Sequence, residues 1–320
     1  LMRENMHEVF EILESMQTEI DFLIPFRFKD NLEMFNKNAL EKTKTPLSSD
    51  CMELSKNVPD NYVDLVVTSP PYADTVSYGD DVNTFSPENY PDWILPLFKE
   101  ANRFLKPTGS FILNINDRIV NGERAIYVME TVVKIVKESG LKLYDRYIWH
   151  KKNGLPMGGE VRLNDRMEYI FHFVRDVKNF KSNIDVVRVP YAESSINRAK
   201  TPVKAQKVAK SSGIAEFTES KMMGINPLGS KPSGVFRFDN AGVLKGAKHP
   251  APFHPQLPEF FIKWLTDKND VVLDPFMGGG TTGDVSLNMN RNYLGFEINE
   301  TYLEELIEPT MNKHITKFWG

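Results

Sequence analysis

A single cysteine in 320 residues, Cys51, excludes an internal disulfide and any cysteine-based metal cluster. Long hydrophobic runs are missing as well. No stretch approaches the roughly 18 consecutive apolar residues of a membrane-spanning helix. The opening residues, "LMRENMHEVFEILESM", carry acids where a secretory leader would be basic and then apolar. The chain is therefore expected to be cytoplasmic, without a membrane partner and without a metal. Strong net charge is also absent, since 39 Lys and Arg stand against 43 Asp and Glu, a net of -4. That balance hides an asymmetry. Residues 175–250 carry 14 Lys and Arg against 6 Asp and Glu, a net of +8, which leaves -12 for the rest. A basic segment inside an acidic protein is a candidate nucleic-acid surface, because Lys and Arg neutralising phosphates dominate that kind of affinity. A solvated loop region is the alternative.

With 41% hydrophobic residues the chain can bury a large core. Residues 1–45 show helical spacing in "MHEVFEILESMQTEIDFLI", where Val9, Phe10, Ile12, Leu13 and Met16 share a face, and they read as a helical extension. Residues 46–175 alternate strands and helices: a strand at "VDLVVTS", a helix from Tyr90 to Leu105, a strand at "GSFILNIND", a helix around Ala125 to Ser139, then strands at "YDRYIWHK" and "MEYIFHFVR". Alternation of this kind predicts an α/β fold with a mostly parallel sheet covered on both faces. The last two strands lack a crossover helix and have the connection of an antiparallel pair. Residues 176–248 show no clear period and read as a polar, basic insert. Residues 249–320 return to order, with a helix from about Pro258, a strand at "DVVLDPF", a glycine turn, a helix and "RNYLGFEIN".

Two turns are candidates for chemistry. In "TSPPY", Pro70 and Pro71 remove two backbone donors and fix two φ angles at the end of a strand, leaving nearby carbonyls for another partner. Ser69 adds a hydroxyl and Tyr72 a flat aromatic face, which together suit a planar ligand with a polar edge. A stiff loop with a packed tyrosine would use the same residues. In "DPFMGGGTTG", Gly278, Gly280 and Gly283 fit G-x-G-x-x-G between a strand and a helix, with Glu297 nineteen residues beyond Gly278, where an acid can bond ribose hydroxyls. A nicotinamide-dependent oxidoreductase would use that pattern literally, and a DNA-binding module without catalysis would use only the basic segment. Few residues follow Gly283, however, so earlier strands must complete the sheet. The order that fits is circularly permuted, with the glycine strand central in space beside the strand leading to Ser69. Both turns then face one crevice at the carboxyl ends of the strands.

Taken in order, "TSPPY", "LKPTGSFIL", "YIWHKKNGLP", the basic region, "HPAPF" and "DPFMGGGTT" resemble the β-class DNA amino-methyltransferases, over roughly residues 46–310. The resemblance implies a Rossmann-like methyltransferase fold with a mostly parallel seven-stranded sheet, permuted motif order and an inserted target-recognition region at 176–248. It also implies S-adenosyl-L-methionine as cofactor and double-stranded DNA as partner. Asp274, Pro275, Phe276, Gly278, Gly280, Thr281 and Thr282 would then form the cofactor loop, and Glu297 would hold the ribose hydroxyls. Asp50 and Cys51 would lie near the adenine, and Phe253 would pack beside the cofactor. Thr68 and Asn299 are assigned to the same site. Ser69 and the Pro70 carbonyl would accept hydrogen bonds from the target amine, in the turn that Pro71 stiffens, while Tyr72 stacks on the base.

Trp149, Lys151, Asn153, Pro156, Arg166 and Glu168 match a family stretch near the target base, with Trp149 and Lys151 assigned to DNA. Arg188, Arg198, Lys200, Lys204 and Lys207 are the candidate phosphate contacts. Met167 and His254 depart from the family pattern, which has histidine and proline there in many members. The serine form of the tetrapeptide is typical of N4-cytosine enzymes and the aspartate form of N6-adenine enzymes, so the implied product is N4-methylcytosine, with N6-methyladenine the alternative. Cys51 lies outside any proline-cysteine motif, which argues against C5 methylation. A paired restriction endonuclease, and a monomeric or homodimeric state, are further expectations of the resemblance.

Overall fold

The computed structural model describes residues 51–73, 86–152, 161–200, 203–208, 215–221, 224–238, 254–307, 309–310 and 313–314. The expected N-terminal helical extension, Asp50, Asn153, Pro156 and Phe253 lie outside these. Two compact units are present, one within residues 1–182 and 234–320, the other 183–233.

The larger unit begins with α1 (Cys51–Lys56), β1 (Val63–Thr68), α2 (Tyr90–Phe104) and β2 (Leu105–Ile115). A two-stranded ribbon follows, β3 (Ile119–Val120) with β4 (Glu123–Arg124), then α3 (Tyr127–Glu138), β5 (Lys142–Lys151) and β6 (Met167–Val174). In the smaller unit, α4 (Glu193–Ala199) precedes an antiparallel pair, β7 (Val203–Val208) and β8 (Ala215–Lys221). The chain then returns to the larger unit with β9 (Val235–Phe238), α5 (Gln256–Leu265), β10 (Val271–Asp274), α6 (Thr281–Asn288) and β11 (Asn292–Gly295).

Seven strands form one sheet in the order β11-β10-β1-β2-β6-β5-β9. Neighbours β11, β10, β1 and β2 pair parallel, β6 is antiparallel to both β2 and β5, and β9 is parallel to β5. The expected architecture is therefore present, with the late glycine strand β10 beside the early strand β1. β1 shows why its sequence reads as a continuous apolar run. It is central, helices cover the sheet, and every one of its residues is buried. Its one acid, Asp64, is satisfied by the Val271 N–H at 2.9 Å and the Lys106 ammonium at 2.7 Å. α2 packs its buried face, including Ile94, Leu97, Phe98 and Ala101, onto the sheet, with the Phe98 ring 4.4 Å from that of Phe111.

The structure differs from the sequence expectation in two places. β2 begins at Leu105, directly where α2 stops, instead of at Gly109. The stretch without visible period contains α4, β7 and β8, and Val235–Phe238 pairs with β5 as the edge strand of the main sheet. Among the described residues, no helix is long and apolar enough to cross a membrane.

His172, on β6, is fully buried, with Tyr147 Oη 3.3 Å from Nδ1 and Ser110 Oγ 3.0 Å from Nε2. Burial pushes its pKa from the ordinary 6.5 down to about 3. The unfolded chain therefore takes up a proton that the folded state excludes. The stability from keeping this ring neutral is fully present above about 6.5 and is lost as pH falls toward 3. Denaturant unfolding between pH 7 and pH 4 is expected to show a loss of about 3 kcal/mol from this group. The loss should be absent in His172→Phe; parallel curves for the two proteins would contradict it.

Candidate active site

Parallel pairing of β1 with β10, in the register Val66↔Leu273, ends both strands at the same edge of the sheet. Thr68 and Asp274 consequently meet. The Thr68 hydroxyl donates to Asp274 Oδ1 at 2.6 Å, the Thr282 hydroxyl to Oδ2 at 2.7 Å, and the Phe276 N–H to Oδ1 at 3.1 Å. One carboxylate thus joins the end of β1, the glycine turn and the start of α6. Asp274 is completely buried, and burial pushes its pKa up to about 7, opposed by these three hydrogen bonds and reinforced by the nearby Glu297.

The turn between β10 and α6 needs its glycines. Gly278 has φ +53° and Gly280, at the N-cap of α6, has φ +77°, a left-handed region in which a side chain is strained. The turn is fastened to the end of β11 by Met277 N–H to the Phe296 carbonyl at 2.9 Å and Gly278 N–H to Glu297 Oε2 at 2.7 Å. Asn299 N–H donates to Glu297 Oε1 at 3.0 Å. Burial raises the Glu297 pKa against these backbone bonds. A carboxylate oxygen can accept more than one hydrogen bond, so Glu297 can still accept from a ligand hydroxyl. Phe276 is half-buried, with its ring 5.8 Å from that of Trp93. Pro275 is buried, and Thr281, the first residue of α6, is half-buried.

Ser69 follows Thr68 directly, so the proline turn adjoins this loop. The register Thr68↔Leu113 between β1 and β2 brings Asn114 level with Ser69. Asn114 Nδ2 lies 3.4 Å from Ser69 Oγ, 3.0 Å from Tyr72 Oη and 2.6 Å from Glu168 Oε2. The Tyr72 hydroxyl donates to Glu168 Oε2 at 2.8 Å and stands 3.2 Å from Ser69 Oγ. Lys151 forms an ion pair with Glu168 Oε1 and sits 5.3 Å from the Trp149 ring centre. Behind the turn, the Tyr90 hydroxyl donates to the Pro71 carbonyl at 2.9 Å, while the Pro70 carbonyl has no partner among the described residues.

Of the sequence-assigned cofactor residues, Thr68, Asp274, Phe276, Gly278, Thr282, Glu297 and Asn299 are joined through these hydrogen bonds. Cys51 is buried in the core at the start of α1. Three of the residues assigned to DNA hold partners within the protein. Trp149 is buried and its indole N–H is directed at the Phe238 carbonyl, 3.3 Å away. Lys151 is engaged by Glu168. Arg188 braces its own unit, with Nε on Asp185 at 2.6 Å and Nη1 on the Gly229 carbonyl at 2.9 Å. Arg198 and Lys200 are exposed at the end of α4, and Lys204 and Lys207 are on β7. Asn114 escapes the sequence reading; its signal is a lone amide in the apolar run "FILNI".

The chain matches the DNA methylase family of N6 and N4 methyltransferases over residues 63–308. It is similar to the Type II methyltransferase M.PvuII of Proteus hauseri, 30% identical over 274 residues that cover 79% of this chain and 80% of the relative. It is also similar to the DNA adenine methyltransferase YhdJ of Escherichia coli K12, 24% identical over 274 residues covering 82% and 81%. Among solved structures, the PvuII DNA methyltransferase (cytosine-N4-specific) aligns with a TM-score of 0.59 at 25% identity, covering 84% of this chain and 91% of that one. TTHA0409 of Thermus thermophilus, solved in complex with S-adenosyl-L-methionine, shares the fold, with a TM-score of 0.54 at 21% identity and coverage of 83% and 92%.

Proposed function

The chain belongs to this DNA methylase family, and from that premise we propose that it transfers a methyl group from S-adenosyl-L-methionine to the exocyclic N4 amine of a cytosine in double-stranded DNA. The observation that carries the reading is the junction at Thr68. Its hydroxyl is bound by the carboxylate that organises the glycine turn, and the next residue in the chain is Ser69. A cofactor loop and an amine-binding turn are therefore one residue apart.

The donor set fits the cofactor. Glu297 offers free lone pairs for ribose hydroxyls, the first N–H groups of α6 suit the carboxylate of the methionine part, and the half-buried Phe276 offers an apolar wall. When bound, S-adenosyl-L-methionine supplies an electrophilic methyl group on a sulfonium. The chain's own residues act on the nucleophile. A base inside a duplex cannot reach this crevice, so it must leave the stack, at a cost of a few kcal/mol. Tyr72 receives its face. An exocyclic amine is a poor nucleophile because its lone pair is delocalised into the ring. Hydrogen bonds from the amine to Ser69 Oγ and the Pro70 carbonyl draw the nitrogen toward tetrahedral geometry and localise that pair. No covalent adduct with the enzyme is needed.

The serine of "TSPPY" supports cytosine as the target, in line with the name of the PvuII enzyme. The kinship with YhdJ supports adenine as a second reading. The Type II relatives support a role in restriction-modification, beside a paired endonuclease. The exposure of Arg198 and Lys200 supports contacts to phosphates. The test is to incubate the protein with the cofactor and mixed-sequence duplex DNA, digest to nucleosides and identify methylated products by mass spectrometry. N4-methylcytosine is expected. N6-methyladenine would keep family and cofactor but overturn the base assignment, and no methylated nucleoside would overturn the whole reading.

A further inference from the structure

The polar cluster beneath the proline turn has a direction that its chemistry fixes. Glu168 is buried on β6, and an ionised carboxylate can only accept hydrogen bonds. Its Oε2 lies 2.8 Å from Tyr72 Oη, so the phenol proton is committed to Glu168. Having donated its one proton, the Tyr72 oxygen presents only lone pairs to Ser69 Oγ, 3.2 Å away, and the proton of that contact must come from Ser69. The Ser69 hydroxyl therefore points inward, one lone pair meets Asn114 Nδ2 at 3.4 Å, and the other is left to face out of the cluster.

Asn114 adds to the same polarity. A flipped amide would set Oδ1 against Glu168 Oε2 at 2.6 Å, so the carboxylate holds the amide with its N–H groups toward the cluster. Asn114 Oδ1 has no partner among the described residues, which is the cost of that orientation. Lys151, paired with the other oxygen of Glu168, compensates the buried negative charge.

We propose that Glu168 is a positioning residue for methyl transfer, which acts through Tyr72 to aim the Ser69 hydroxyl so that Ser69 accepts a hydrogen bond from the target amine. This rests on the amino-methyltransferase reading above and holds for a cytosine or an adenine amine alike. Tyr72 then has two functions, a ring face for the base and a hydroxyl that passes the carboxylate's polarity to the serine. If the carboxylate is replaced by an amide, an N–H can face Tyr72. The chain of donors is then free to reverse, and Ser69 can present a proton where the amine needs an acceptor.

Tyr72→Phe keeps the ring and breaks the chain, and it leaves the Lys151–Glu168 pair intact. Glu168→Gln keeps the shape and loses the obligatory acceptor. Steady-state kinetics and melting curves of the two variants and of the double variant test the proposal. Each single change is expected to lower kcat about 10- to 100-fold, the range of one charge-assisted hydrogen bond. KM for DNA and cofactor and the melting temperature of Tyr72→Phe should stay near wild type. The double variant should be no slower than the worse single, because both changes cut one chain. Wild-type kcat in Tyr72→Phe would overturn the proposal, as would losses that multiply in the double variant. Should Glu168→Gln fail to fold with Lys151 unpaired, Tyr72→Phe alone decides. A wild-type chain that methylates no DNA overturns the functional reading and this proposal with it. Methylation that survives Tyr72→Phe undiminished overturns the proposal alone.

Discussion

Replacing Ser69 by alanine is expected to lower kcat for DNA methylation by about 10²- to 10³-fold, the scale seen when one preorganised polar group is removed from a reacting centre. Cofactor affinity should be nearly unchanged. The asymmetry follows from what each atom touches. Ser69 Oγ contacts Tyr72 and Asn114 and makes no bond to Asp274, Glu297 or the glycine turn. The backbone at Ser69 is held by its neighbours on either side. Thr68 is bound to Asp274, and the Pro71 carbonyl accepts the Tyr90 hydroxyl. Alanine therefore removes an acceptor for the amine without moving the loop. The lost interaction matters most as the amine nitrogen becomes tetrahedral, so the fall should appear in kcat far more than in either KM. Calorimetric titration with S-adenosyl-L-methionine, set beside single-turnover methylation, measures both quantities. Equal losses in the two would mean that Ser69 serves the cofactor, and the division between the turns would be wrong.

Much of this site is legible because its determinants are local. Two prolines after a buried strand, and three glycines between a strand and a helix, dictate backbone shape whatever surrounds them. The permuted order follows from counting how little chain remains after Gly283. What stays hidden depends on register. Lys151 looks like a free cation in "YIWHKKN", and nothing near it in sequence says that the antiparallel pairing of β5 with β6 sets Glu168 opposite Trp149 and within reach of the ammonium. Trp149 is assigned to DNA because "YIWHKKNGLP" resembles a family stretch near the target base. Its indole N–H is directed at the carbonyl of Phe238, 89 residues later, on a strand whose sequence gives little periodic signal. That strand, Val235–Phe238, is short and lies at the sheet edge, where only one of its four residues is fully buried. Asn114 is the same lesson in one residue. An amide inside an apolar strand must find partners or remain unsatisfied, yet which partners it finds is a property of the sheet.

Asp274→Ala should have the opposite signature to Ser69→Ala, with cofactor binding reduced at least about 100-fold and the fold itself weakened. The substitution leaves the Thr68 and Thr282 hydroxyls and the Phe276 N–H without their acceptor in a fully buried place. Each orphaned donor costs about 1–3 kcal/mol, so a total of several kcal/mol is expected, and on the order of 10 °C in melting temperature for a unit of this size. The loss of cofactor affinity follows from geometry. Once the carboxylate is gone, the bridge from Thr68 at the end of β1 to Thr282 in α6 is lost, and the turn that holds Gly278 and Gly280 in left-handed conformations loses its anchor to β1. Asparagine would be a gentler replacement, because an amide oxygen can still accept from Phe276 N–H and Thr68, while its NH₂ can donate to the Thr282 oxygen. Asp274→Asn is accordingly expected to melt near wild type and to bind the cofactor better than Asp274→Ala. Thermal melting with and without S-adenosyl-L-methionine separates these cases. If Asp274→Ala melted like wild type and still gained stability from the cofactor, the carboxylate would not be the joint between the two turns, and their adjacency would have to rest on strand pairing alone.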